Sequence, residues 1–167
     1  MEITIKSKFS FDFWVWPVLF VANISYSCCV LSWSNFHDFG LPVILLLISI
    51  LFGTVFILGA NVTIIDGVNK LVSYTNIVTR KKKIFYYDEI DGYIDTTQSS
   101  KGSDYEVMYL VSKDKYVAKM SSNIYSNYDD LKKGLTDIKH LGYRDFDLID
   151  RSKIFLGCRA SAIEGLN

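Results

Sequence analysis

The chain has 167 residues, 15% of them aromatic, and its 18 Lys and Arg balance 18 Asp and Glu. From Asn61 onward there are 16 basic and 15 acidic residues, so no net field gathers nucleic acid, and DNA or RNA is not an expected partner. Cys28, Cys29 and Cys158 give neither a disulfide framework nor a metal-ligand spacing, and they read as small buried apolar residues.

Met1 to Asp12 reads as a short polar lead with Lys6 and Lys8. Residues 13–31, FWVWPVLFVANISYSCCVL, follow without a formal charge and predict a membrane-spanning helix. Within it Asn23, Tyr26 and Ser27 fall at i, i+3 and i+4. They predict one polar stripe turned toward another helix, where the groups can hydrogen-bond. A signal peptide is the rival reading, but no A-x-A-like cleavage triplet follows.

Residues 32–40 predict a hairpin loop, in which His37 and Asp38 read as solvated turn residues. Trp14 and Trp16 at one end, with Trp33, Phe36 and Phe39 at the other, read as interfacial belts. Residues 41–60, LPVILLLISILFGTVFILGA, contain no ionisable side chain, and 14 of the 20 are Leu, Ile, Val or Phe. At about 1.5 Å per residue such a helix is about 30 Å long, the thickness of a bilayer's hydrocarbon core. This is the second predicted span. Ser49 and Gly53 form a small-xxx-small pair on it, the spacing that lets two helix backbones approach. The contact expected is the first helix of the same chain, with a homo-oligomer as the alternative.

Lysines precede the first span, the loop has none, and Lys70 and Arg80-Lys81-Lys82-Lys83 follow the second. The positive-inside rule then puts both termini in the cytoplasm, and the expected location is a bacterial inner membrane.

Beyond Asn61, short β-branched and aromatic runs alternate with turn residues and predict six strands: NVTII, KLVSYTNIVT, IFYYDEI, YIDTT, YEVMYLV and KYVAKMS. QSSKGSD reads as a polar loop between the fourth and fifth. A helix is expected next, with Asn127 as its cap and Asp130 at the third position of a capping box. Its apolar face would be Leu131, Leu135, Ile138 and Leu141, and Gly142 would stop it. Residues 143–167 read as a tail whose Phe146 and Leu148 alternate with Asp145 and Asp147 as in an extended segment.

The start IIDGVNKLVSY, the hairpin KKKIFYYDEI, the pair YEVMYLVSKDKYVAKM and the closing NYDDLKKGLTDI together resemble the bacterial PH-like domains of small membrane proteins. The resemblance implies two spanning helices leading into a curled antiparallel sheet closed by one C-terminal helix. The expected fold class is therefore a membrane α-helical hairpin (residues 1–60) plus an α+β PH-like domain (61–142) and a tail (143–167). It implies seven strands where six are legible. Members that bind phosphoinositides carry basic residues in the first hairpin loop, and this chain has Lys70 alone between Asp66 and Lys70.

No G-x-S-x-G, phosphate-binding Gly loop or metal spacing occurs, and the two histidines fall on opposite sides of the predicted membrane. Neither an enzyme nor a cofactor is expected. Arg80 to Lys83 is the charged feature above background: four cations near a membrane attract anionic lipid at about 1 kcal/mol each. The plain alternative is a solvated turn. The function expected is protein docking or regulation by a membrane-held domain. The alternatives are an immunity protein against a membrane-targeted toxin and an accessory subunit of a transporter or enzyme complex.

Overall fold

Residues 11–33 and 40–59 lack the turn chemistry found further on, and each forms one helix: α1 (Phe11–Trp33), with Pro17 inside it, and α2 (Gly40–Gly59). The computed structural model describes residues 4–33, 40–100 and 103–155. His37, Asp38, Phe36, Phe39 and Cys158 lie outside them. By length and composition, Phe13–Val30 of α1 is long and apolar enough to cross a membrane.

Eight strands follow the period-2 pattern among the described residues: β1 (Thr4–Lys6), β2 (Asn61–Asp66), β3 (Leu71–Asn76), β4 (Lys82–Tyr86), β5 (Gly92–Ser100), β6 (Ser103–Ser112), β7 (Lys115–Ser121) and β8 (His140–Tyr143). They make two four-stranded sheets, ordered β1-β2-β3-β4 and β7-β6-β5-β8, antiparallel except for the β5–β8 pair. The class is α+β. Six strands, β2 to β7, overlap those legible in sequence, although Tyr87–Glu89 of the expected strand IFYYDEI is a 3-10 turn and β4 begins at Lys82. Of the other two, one comes from outside the expected domain and one replaces part of its expected closing helix. The lead before α1 is β1, which pairs Ile5 with Ile65 of β2, and β8 lies where a helix was expected.

That helix, α3 (Tyr128–Lys133), ends six residues after it starts. Beyond Lys133 the backbone continues in i→i−3 turns, the Leu135 N–H donating to the Lys132 carbonyl at 3.1 Å and the Ile138 N–H to the Leu135 carbonyl at 2.9 Å. Gly134 stands at the junction: a Cβ there would come within 2.9 Å of Ile5 Cδ1 and 3.2 Å of Ile65 Cγ2, and its carbonyl accepts the Tyr87 hydroxyl at 3.1 Å. Leu131, Leu135 and Ile138 are nonetheless buried as the pattern requires, whereas Leu141 sits on β8 and Gly142 lies within that strand. The expected cap also changes role: Asn127 caps nothing, because its Oδ1 accepts the Lys8 N–H at 2.7 Å and its Nδ2 donates to the Lys6 carbonyl at 2.9 Å.

Within the expected loop QSSKGSD, Gln98–Ser100 and Ser103–Asp104 are strand. β5 and β6 pair from Gly92↔Val111 out to Ser100↔Ser103, and the polar side chains bond across the ladder, Ser99 to Asp104 and Gln98 to Tyr109. Gly92 (φ 159°) opens β5, and its bare Cα lets β8 close in, since a Cβ would stand 2.5 Å from Leu141 Cγ and 2.6 Å from the Lys139 carbonyl.

Two apolar clusters result. Ile65, Val72, Met108, Leu110, Met120, Leu131 and Leu135 fill the space between the sheets and α3. Ile94, Val107, Tyr109, Val111 and Phe146 form a second cluster on the other face of the β5–β7 sheet. Residues 107–112 are accordingly buried without a break. Phe146 is 1% exposed, and α4 (Leu148–Phe155) follows it, so this part of the expected tail is packed core plus helix.

Candidate functional site

The two helices touch through small residues. Gly53 faces Phe20, whose ring would lie 2.5 Å from an added Cβ, and Ser27 and Ser49 are both buried. Of the stripe expected on α1, Asn23 accepts the Ser27 hydroxyl at 3.4 Å. Tyr26 stands outside it, 61% exposed. Gly53→Val should cost about 1–3 kcal/mol through overpacking against Phe20. Thermal unfolding of the full chain in detergent measures it, and Phe20→Ala should restore part of the loss. An unchanged midpoint in the single variant would mean that the helices do not meet there.

The basic run begins in the β3–β4 turn with Arg80 and Lys81 and continues into β4, where Lys82 and Lys83 pair with Thr75 and Tyr74. Asn76 Oδ1 accepts the Val78 and Thr79 N–H groups at 3.1 and 2.9 Å, the Arg80 N–H reaches the Asn76 carbonyl at 3.0 Å, and Arg80 takes a left-handed φ of 58°. A hydrogen-bonded side-chain turn therefore holds Arg80 and leads through Lys81 into Lys82 and Lys83 of β4, and all four cations are exposed. Its position is decided by one non-local bond. The Ile77 N–H donates to the Ala60 carbonyl at 2.9 Å, and Ala60 itself closes the last α2 turn by bonding Phe56 at 2.9 Å. The turn thus sits at the end of α2. Asp88, Glu89 and Asp91, which follow the run in sequence, lie past the other end of β4, where Glu89 accepts the Tyr86 N–H at 3.1 Å, three strand residues or about 10 Å beyond Lys83. That is close to the Debye length of about 8 Å at physiological salt, so they offset Lys83 in part and Arg80 least.

The same end of the domain receives the start of α1. Phe9 stacks on Phe13 at 4.2 Å and meets Tyr125 at 5.6 Å, while Phe13 packs on Phe56 of α2 at 4.9 Å. Tyr125 donates its hydroxyl to the Asn61 carbonyl at 2.6 Å. One aromatic block therefore joins β1, both helices and the segment after β7. Trp14 is the member of the expected belts whose side chain is described, and it packs edge-on against Phe9 and Phe13 while half exposed. Sequence reasoning missed Phe9, Tyr125 and Asn127 as a unit, because no spacing rule joins residues more than a hundred positions apart.

No protein-family model matches the chain, and no curated protein or solved structure does.

A further polar cluster lies beside α3. Asp95 Oδ2 accepts Lys132 Nζ at 3.0 Å and His140 Nε2 at 3.2 Å, Glu106 takes Lys132 at 3.3 Å, and His140 stacks on Tyr93 at 4.8 Å. Burial alone would lower the Lys132 ammonium's pKa, but the Asp95 hydrogen bond and charge, with Glu106, outweigh it and hold it above the ordinary lysine value. Burial, then Asp95 and Glu106, push the Tyr128 phenol well up, so it stays neutral. The cluster ties α3 and β8 to β5 and contains no nucleophile with a base. No group of three metal-ligating side chains occurs among the described residues.

Proposed function

We propose that the protein is anchored in a bacterial inner membrane by α1 and α2 as a two-span hairpin with both termini cytoplasmic. In this reading a PH-like domain is held against the anionic lipid surface by Arg80 to Lys83 and serves as a non-enzymatic docking or regulatory module. One observation carries it: β1 pairs with β2 and Ile77 bonds Ala60, so both ends of the helical pair enter one domain, with the basic turn at its base.

Two further features support it. Val18, Leu19 and Val21 of α1 and Ile44, Leu47 and Leu51 of α2 are each more than half exposed, an apolar surface larger than water-soluble monomers tolerate. The outer edges of β4 and β7 line a common cavity of about 330 Å³ with Ile84, Phe85 and Val117, an opening in which an extended segment of a partner can add to a strand edge.

The test uses the full chain in nanodiscs. Amine-reactive labelling of Lys81, Lys82 and Lys83, read by peptide mass spectrometry, is compared with Lys113 and Lys115 at the β6–β7 turn. With anionic lipid the three should be protected at least about fivefold relative to zwitterionic lipid, the equivalent of about 1 kcal/mol for each cation, and added salt should erase the difference. Equal labelling in both lipids would remove the basic turn from the membrane surface.

A further inference from the structure

The outer face of the β5–β7 sheet carries an open groove beneath α4, of about 290 Å³, at the small end of ligand pockets. Gln98 forms its floor and is 3% exposed. Its amide is held on three sides. Oε1 accepts the Tyr105 hydroxyl at 3.1 Å and Lys119 Nζ at 3.3 Å, and Nε2 donates to the Tyr109 hydroxyl at 3.0 Å. Tyr109 thereby keeps its own proton free to donate. Lys119 Nζ lies 5.9 Å from the centre of the Tyr109 ring. From α4, Arg151 spends its Nε–H on the Phe146 carbonyl at 2.9 Å, leaving the two terminal nitrogens of its fork. Val117, Ala118 and Ile154 complete the walls.

Two cations therefore line this groove, and no carboxylate does. Among the described residues neither makes an ion pair, although Asp95, Glu106 and Asp150 pair with other cations. Lost solvation, then the nearby Arg151 charge, lower the Lys119 pKa. Both effects oppose a bare ammonium, and an anion placed between the two cations would relieve them. Two unneutralised cations beside a neutral amide bonded on three sides, with apolar side chains adjoining, suit a ligand with one charged end.

We propose that the groove binds a small carboxylate with an apolar body. The carboxylate lies between Lys119 Nζ and the Arg151 guanidinium within reach of the Tyr109 hydroxyl, and the chain rests on Val117, Ala118 and Ile154. Such a ligand comes either from the aqueous phase or, as a fatty-acid anion, from the bilayer.

The experiment follows acylation of Lys119 in the full chain in nanodiscs by peptide mass spectrometry while hexanoate is titrated, with hexanol as the uncharged control and Lys132 as the internal reference. A parallel arm embeds palmitate in the nanodisc. Saturable protection of Lys119 by either carboxylate, absent with hexanol, is expected, and the arm that protects identifies the source. Arg151→Gln should raise the half-protecting concentration about tenfold or more, as loss of a charge-assisted contact does, while Arg151→Lys should stay close to wild type. Unchanged Lys132 labelling and melting confirm that the variants are folded. Protection by neither carboxylate, equal protection by hexanol, or the same half-point in Arg151→Gln would overturn the proposal.

Discussion

Replacing Leu135 by Asp should leave the domain unfolded at 25 °C in the otherwise intact protein. Leu135 is fully buried in the cluster that joins both sheets to the segment after α3, beside Ile65, Met108 and Leu131. Truncation to Ala at such a site costs about 2–5 kcal/mol through lost burial and the cavity left behind. An unpaired carboxylate adds the penalty of burying a charge, so the sum reaches much of the 5–15 kcal/mol that typically holds a domain together. Near-ultraviolet circular dichroism and limited proteolysis of the detergent-purified chain report the loss. Leu135→Ala should fold with a lowered midpoint. A Leu135→Asp protein that melts like wild type would mean that this segment does not cover the sheets.

Removing residues 1–10 should be nearly as damaging, although the stretch reads as a polar lead. Ile5 packs on the main cluster, and Ser7 exchanges two bonds with Thr63, its N–H to the carbonyl at 2.8 Å and its Oγ from the Thr63 N–H at 2.9 Å. The Ser10 N–H and the Lys8 carbonyl bond to Ile124 and Ser126 at 2.8 Å each, and Asn127 clasps Lys6 and Lys8. At about 1 kcal/mol net for each of these six bonds and about half of the 1.5–3 kcal/mol of full burial for each of the partly buried Ile5 and Phe9, the segment contributes on the order of 5–10 kcal/mol. A fragment of residues 61–167 should therefore lack a cooperative transition. Joining residues 1–10 to Asn61 through a short Gly/Ser linker in place of 11–60 should restore one, because Ser10 and Asn61 both bond into the Ile124–Tyr125 segment. Identical melting of the two chains would show that β1 is dispensable.

The two predictions differ in how far their cause is readable in the sequence. Leu131, Leu135 and Ile138 repeat at helical spacing, and that spacing places them inside even though regular helix ends at Lys133. Nothing local marks Thr4 to Ser10 as strand. Three paired residues, Thr4 to Lys6, are too few for a period, and their partner β2 enters the chain only after both helices. The candidate sites divide in the same way. Arg80 to Lys83 is visible as composition, but its place at the end of α2 depends on the Ile77–Ala60 bond. Its separation from Asp88, Glu89 and Asp91 depends on β4 being extended. Gln98, Lys119 and Arg151 carry no motif. They meet because β5, β6 and β7 pair in one register and α4 lies over them.

By itself the sequence determined what local physics controls. The absence of ionisable groups from 41–60 and the alternating runs from Asn61 to Ser121 fix element type, because burial and turn chemistry act on neighbours in the chain. Tertiary structure alone decided whatever depends on distant partners. The polar run at Gln98 became strand because Tyr105, Tyr109 and Lys119 satisfy its amide, and Asn127 became a clasp because Lys6 and Lys8 offer it better bonds than the helix start. α3 gives way to i→i−3 turns at Gly134, where an added Cβ would crowd Ile5 and Ile65. At Gln98 and Asn127 a contact from far along the chain outweighed a local preference worth about 1 kcal/mol, and only the folded arrangement supplies that contact.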